Sequence, residues 1–197
     1  HNYFAIVESW DHPVKASFFF LPKTTFVWND DLKEDVINYQ SYPDESIINT
    51  YPLKFRYLEE INEIEFNFKS KQILDEIDFI DNKDYVLFIC SYSKMSGNEL
   101  FNEQLKLIYK IFFNLKKINK ILYIKPHPHS VYGEFDELKS LSKNLIKVGI
   151  HSERSGFGYL FSDEDQAFKI QLLTNARMII NLSTTLVLES SKLNHNI

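Results

Sequence analysis

The chain has 197 residues, enough to bury a core as one large or two small domains. Its net charge of -5 argues against general affinity for nucleic acid or for an anionic membrane. The single cysteine, Cys90, cannot form an intrachain disulfide and reads as a small buried hydrophobe in a reducing compartment.

No apolar run approaches the ~20 residues needed to span a bilayer, and no secretory signal is evident. The chain begins at His1 and stops at Ile197, where another strand is expected, so the reading is of a truncated chain.

Phe4-Ala5-Ile6-Val7 predicts a strand buried on both faces, because its apolar run does not alternate. Thr25-Phe26-Val27-Trp28 predicts a second strand. Asn29, Asp30 and Asp31 offer helix-starting side chains, and Leu32, Val36, Ile37 and Tyr39 form an apolar stripe. Ser46 to Thr50 predicts a third strand. Residues from about 55 to 84 are charge-rich and read as a connector, with helical segments near 57–64 and 71–80.

The second half reads more sharply. Tyr85 to Cys90 is a continuous apolar strand, followed by the polar loop Ser91-Tyr92-Ser93-Lys94-Met95-Ser96-Gly97. Ser96 with Glu99 matches a capping box, which predicts a helix start. Phe101, Leu105, Ile108, Phe112 and Leu115 then recur on one helical face. A strand at 121–124, a short helix at 135–141 and a strand at 145–148 follow. Ser162 with Asp165 resembles a cap for a helix reaching about Asn175, before a strand at 178–182 and a helix at 184–192. This alternation predicts a doubly wound parallel sheet.

Two strand ends carry the chemistry. Ile121-Leu122-Tyr123-Ile124 runs into Lys125-Pro126-His127-Pro128-His129, and Met178-Ile179-Ile180-Asn181-Leu182 runs into Ser183-Thr184-Thr185 with Glu189 one turn on. Parallel sheets bind ligands beyond the carboxyl ends of their strands. A helix start supplies unpaired N–H groups and a partial positive charge to an anion, and the hydroxyls there add donors. Two prolines hold the first segment extended and aim Lys125 and His127, and a histidine can bond phosphate or move a proton. The plain alternatives are a helix cap at Ser183, a solvated Glu189 and an exposed histidine loop.

Glu8, Asp11 and His12 follow the first strand and are candidates for a general base, although Asp11 also suits a simple turn before Pro13. Ser91 and Ser93 are placed to floor a cleft, while Lys147 and Arg154 are either diphosphate partners or solvated surface. Neither the dinucleotide glycine pattern nor the P-loop pattern is present. His127 with His129 does not complete a zinc site, so no metal is assigned.

The order strand, Lys-Pro-His-Pro, then an apolar strand, Asn-x-Ser-Thr-Thr and a helical Glu resembles the C-terminal half of GT-B enzymes. The nearest resemblance is to the CDP-glycerol glycerophosphotransferase-like and capsule or surface-polysaccharide glycosyltransferases of bacteria. Glu8-Ser9-Trp10-Asp11-His12-Pro13, Phe26-Val27-Trp28-Asn29 and Leu32-Lys33-Glu34-Asp35 resemble the closing part of the first domain in that group.

The resemblance implies an α/β, GT-B-like fold. Residues 1–66 would be the end of an acceptor-side Rossmann-like domain with its connector, and 67–197 an incomplete donor-binding Rossmann-like domain. It implies that His127 contacts donor phosphates or assists the leaving group, that Ser183, Thr184 and Thr185 bind the diphosphate, and that Glu189 holds the ribose. No cofactor is implied beyond a nucleotide-activated donor, and metal is not required. The implied partners are that donor and a glycan or lipid-linked acceptor. The implied setting is the cytoplasm, with peripheral attachment at the inner membrane face compatible. Two other readings stay open: a nucleotide-sugar 2-epimerase on the same scaffold, and a non-catalytic nucleotide-sugar-binding module.

Overall fold

The computed structural model describes residues 3–7, 12–15, 22–50, 52, 55, 58, 71–131, 133–149, 163–182, 184 and 186–193. The chain divides into two compact units, residues 1–64 and 65–197.

The first unit holds a three-stranded parallel sheet in the order β1-β2-β3, from strands β1 (Phe4–Ile6), β2 (Thr24–Val27) and β3 (Ile47–Asn49). A short helix α1 (His12–Lys15) precedes β2, and helix α2 (Asp30–Gln40) joins β2 to β3. The carboxamide of Asn29 accepts from the Leu32 N–H at 2.9 Å, which satisfies one of the orphan donors at the start of α2. Leu32 and Val36 bury against Val7, Val27, Tyr42 and Ile47. Two expectations are corrected here. Phe4 and Ile6, which share one face of β1, are 61% and 50% exposed, so that face is not buried among the described residues. Tyr39 is exposed, so the stripe of α2 ends at Ile37.

The second unit is built on a four-stranded parallel sheet in the order β6-β5-β4-β7: β4 (Tyr85–Ile89), β5 (Ile121–Lys125), β6 (Ile146–Val148) and β7 (Met178–Asn181). Every residue of β4 is buried, as a central parallel strand covered on both faces requires. Among the described residues five α-helices accompany the sheet: α3 (Lys71–Asn82), α4 (Asn98–Lys117), α5 (Asp136–Leu141), α6 (Asp163–Asn175) and α7 (Leu186–Leu193).

One core joins Ile73 and Ile80 of α3 and Phe168, Leu172 and Leu173 of α6 to Tyr85, Leu87, Tyr123 and Ile179, with Leu186 and Leu193 of α7 packed against it. The other joins Phe101, Ile108 and Phe112 of α4 and Leu138 of α5 to Phe88, Leu122, Ile124 and Ile146. Alternate strand residues thus feed opposite cores, as the period of two demands. Helix α3 lies inside the stretch read as a connector, and its burial of Ile73 and Ile80 makes it part of the second core instead.

The capping-box reading at Ser96 is also corrected. Gly97, at φ 122°, stands between Ser96 and α4 and contributes no side-chain cap. Ser96 closes a 3-10 turn over Lys94–Ser96, where its Oγ accepts from the Ser93 N–H and meets the Ser93 Oγ, both at 3.3 Å. Among the described residues no helix is long and apolar enough to cross a membrane.

Candidate functional site

The chain moves outward from β4 to β5 and β6, then returns to the other side of β4 as β7. The reversal lies between β4 and β7, and the crevice beyond such a reversal is where open parallel sheets take ligands. Register brings the tips level, since Ile89 pairs with Lys125 on one side and with Asn181 on the other.

Just beyond these tips lies a pocket of about 370 Å³. The end of β4 contributes Ile89, Cys90 and Ser91, and the β5 end contributes Lys125, Pro126, His127 and Pro128. Thr184, Leu186 and Glu189 come from the start of α7, and Gln166 and Lys169 from α6.

The loops of this pocket are held from behind. Gln104, buried in the apolar stripe of α4, accepts from the backbone N–H groups of Ser91 (2.7 Å) and Tyr92 (3.1 Å) and donates to the Tyr92 carbonyl (2.9 Å). Glu134, also buried, accepts from the Lys94 N–H at 3.1 Å and so ties the loop after β5 to the loop after β4.

The pocket's charges are unevenly matched. Lys169 Nζ lies 2.6 Å from the Glu189 carboxylate, and both side chains are largely buried. Lys125 makes no ion pair among the described residues. Burial pulls the Lys125 ammonium below its ordinary pKa, the neighbouring Lys169 adds to the effect, and Cys90 and Glu189 oppose it. Burial likewise pushes the Cys90 thiol upward, which fits its reading as an inert hydrophobe.

His127 is fixed in one tautomer. Its Nδ1 accepts the His129 backbone N–H at 3.0 Å, so the neutral ring carries its proton on Nε2. Its pKa is lowered by burial first, then by His129 and Lys125, with Glu134 pulling the other way. The rings of His127 and His129 stack at 5.2 Å. A neutral imidazole with an Nε2–H donor, beside an ammonium that makes no ion pair among the described residues, can hold an anionic oxygen.

Of the residues expected to form the site, Ser91, Lys125, His127, Thr184 and Glu189 all line this pocket. Ser93 does not; its side chain is fully buried, with its Oγ against that of Ser96 in the 3-10 turn. Lys147 is drawn elsewhere, 2.9 Å from Glu76 and over the Phe79 ring. Glu8, Asp11, Ser183, Thr185 and Arg154 lie outside the described residues, as does the side chain of His12 at the start of α1. Gln166 and Lys169 were not foreseen; the available signal was two polar residues one helical turn apart among Ala167, Phe168 and Ile170. Among the described residues no group of three or more His, Cys, Asp or Glu side chains gathers to hold a metal ion.

No protein-family model matches the chain, and no curated protein matches it. Solved structures similar to it include two of one enzyme. UDP-GlcNAc 2-epimerase from Methanocaldococcus jannaschii aligns with a TM-score of 0.56 at 17% identity, over 87% of this chain and 44% of that one. The Methanocaldococcus jannaschii UDP-GlcNAc 2-epimerase in complex with UDP-GlcNAc and UDP aligns at 0.55 and 19%, over 82% of this chain and 41% of that one. The chain therefore spans less than half the length of either structure. At such identities the likeness is one of fold: α/β and Rossmann-like, as the alternation of strands and helices predicted, and GT-B-like, as the resemblance implied.

Proposed function

We propose that this chain binds the nucleotide part of an activated donor and belongs to a transferase that moves a sugar, or a glycerophosphate-like group, during bacterial surface-polysaccharide synthesis. One observation carries the reading: Lys125, a buried ammonium without an ion-pair partner among the described residues, shares a pocket with the Nε2–H of His127 at the sheet's topological switch point. An unpaired buried charge is unfavourable on its own, and an anionic ligand removes the penalty.

In the proposed reaction the bond from the transferred group to the donor phosphate breaks, and negative charge develops on the departing phosphate oxygen. Lys125 and His127 stabilise that charge, while Thr184 adds a hydroxyl donor. Ser183 and Thr185, its neighbours in sequence, are assigned to the same diphosphate by the resemblance. Glu189, positioned by Lys169, would accept ribose hydroxyls. The acceptor hydroxyl attacks the released centre and loses its proton to a base, for which the sequence offers Glu8, Asp11 and His12. The acceptor would be a glycan or a lipid-linked glycan, which fits a site at the inner membrane face. No cofactor other than the donor enters this scheme.

A second reading is supported by the structural neighbours. Both are UDP-GlcNAc 2-epimerases, and one holds UDP-GlcNAc and UDP. On that reading the same pocket would bind a nucleotide sugar and isomerise it without an acceptor.

A thermal-shift screen of the chain against UDP, CDP, GDP and CMP sugars tests nucleotide binding, and a selective rise with one nucleotide is expected. Incubating the donor so identified with and without glycan acceptors separates the two reactions. Acceptor-dependent release of nucleotide supports transfer, and an isomerised nucleotide sugar formed without acceptor supports epimerisation. If none of the four nucleotides shifts the melting temperature, the nucleotide reading fails.

A further inference from the structure

Six buried side-chain oxygens have no hydrogen-bond partner among the described residues, and two of them, Gln166 Oε1 and Thr184 Oγ1, belong to residues lining this pocket. The two differ in chemistry. A threonine hydroxyl turns to donate or to accept, whereas a carboxamide oxygen only accepts, so whatever meets Gln166 Oε1 must bring an N–H or O–H.

Position separates this acceptor from the pocket's charges. In a strand-helix-strand unit the helix returns antiparallel to the strands, so the start of α6 lies at the sheet's carboxyl edge. Gln166 precedes Lys169 by one turn and sits about 4.5 Å nearer the helix start, given a rise of about 1.5 Å per residue. Lys169 holds Glu189 and neighbours Lys125 on the side nearer the sheet. The pocket thus has a charged side toward the strands and a neutral acceptor farther out.

We infer that Gln166 reads the ligand of this pocket by accepting a hydrogen bond from a hydroxyl or amino group on the molecule whose anionic end meets Lys125 and His127. The inference rests on the nucleotide reading above and narrows it: the preferred ligand carries a hydrogen-bond donor as well as its phosphate. A nucleoside diphosphate has that form through its ribose hydroxyls or its base; inorganic pyrophosphate lacks both. An occupant that brings no donor leaves Gln166 Oε1 without a hydrogen bond and gains nothing from it.

The test is calorimetric titration of UDP, CDP and inorganic pyrophosphate into the native chain and into Gln166→Met, which keeps length and removes the acceptor. Gln166→Ala serves as a second variant, and circular dichroism shows that each is folded. The expected result is a loss of about tenfold in affinity for the bound nucleoside diphosphate, with pyrophosphate changed less than about twofold. Unchanged nucleotide affinity in the folded variants overturns the inference and leaves the nucleotide reading standing. An equal loss for nucleotide and pyrophosphate also overturns it, because Gln166 would then only shape the pocket. If the native chain binds none of the nucleotides of the thermal-shift screen, the reading beneath the inference fails with it.

Discussion

The backbone N–H of His129 donates to Nδ1 of His127 at 3.0 Å, closing a small ring within the Pro-His-Pro-His loop. The bond leaves Nε2 as the protonated nitrogen, and Pro126 and Pro128 keep the loop from turning the ring away. His127 should therefore titrate below the ordinary histidine value of 6.5, since burial, His129 and Lys125 all disfavour its cation. The expected nitrogen-detected NMR signature is an Nε2–H tautomer that persists below pH 6.5. An Nδ1–H tautomer, or a midpoint above 6.5, would contradict the geometry. The linked stability has a definite sign. A depressed histidine pKa contributes stability that is complete above 6.5 and is lost as pH falls through the folded-state value.

The functional counterpart lies in the proton on Nε2. His127→Gln can place an N–H near the same point, and His127→Ala cannot. Nucleotide affinity should fall about tenfold or more in His127→Ala and less in His127→Gln, as measured by calorimetry. Equal affinities in the native chain and His127→Ala would remove His127 from the binding site.

Lys125 sets stability against binding. Its ammonium is buried without an ion-pair partner among the described residues, and its pKa is lowered from 10.5. Lys125→Met removes that penalty and should stabilise the ligand-free chain by roughly 1 kcal/mol, while nucleotide or pyrophosphate binding is lost. In the native chain, anion affinity should weaken as pH rises through the lowered Lys125 pKa, before 10.5 is reached. Lys125→Arg should carry binding to higher pH, because guanidinium does not titrate there. Urea melts with and without pyrophosphate decide the point; a Lys125→Met chain that is both less stable and still binds would contradict it.

The pair Lys169 and Glu189 should behave as one unit. Removing the cation alone takes its ion-pair partner from a buried carboxylate, so Lys169→Met should cost about 2–4 kcal/mol. Removing both, in Lys169→Met with Glu189→Leu, should recover much of that loss. The double-mutant cycle gives a coupling energy of at least about 1 kcal/mol if the 2.6 Å contact holds in solution. Additive single effects would show that the contact contributes nothing.

What could be read in advance followed from burial. Strand β4 is buried on both faces and β5 is buried from Leu122 to Ile124, so their sequences are unbroken apolar runs whose abrupt ends mark the crevice. The same logic failed at β1, where three apolar residues look alike whether both faces of the strand are covered or not. Lys169 and Gln166 gave only a faint signal, because α6 buries most of its circumference and its polar positions acquire meaning from the helix packed beside them. Ser91 and Ser93 were equivalent on paper. Gln104 bonds the backbone of Ser91 and Tyr92, and the 3-10 turn that follows takes Ser93 into the interior.

Gly149 supplies the last prediction, which concerns the scaffold beneath the pocket. It follows β6, and its N–H donates to the Ile124 carbonyl at 2.9 Å, so its backbone is held against the sheet. A Cβ at this position would stand 2.4 Å from the Tyr123 hydroxyl and 2.7 Å from a ring carbon. Tyr123 cannot easily yield. Its ring is fully buried against Tyr85 and Phe79, and its hydroxyl donates to Glu76 at 2.6 Å, a carboxylate that also binds Lys147. Gly149→Ala should therefore destabilise the second unit by about 2–3 kcal/mol through overpacking. Tyr123→Phe should cost about 1–2 kcal/mol, because it takes one partner from buried Glu76 while Lys147 remains. Combining the two should restore only part of the loss, since the ring carbons as well as the hydroxyl crowd the added methyl. Urea melts of the two single variants and the double variant measure these differences. A Gly149→Ala chain as stable as the native one would mean that β6 and Tyr123 move apart at little cost, which the shared bonds of Glu76 argue against.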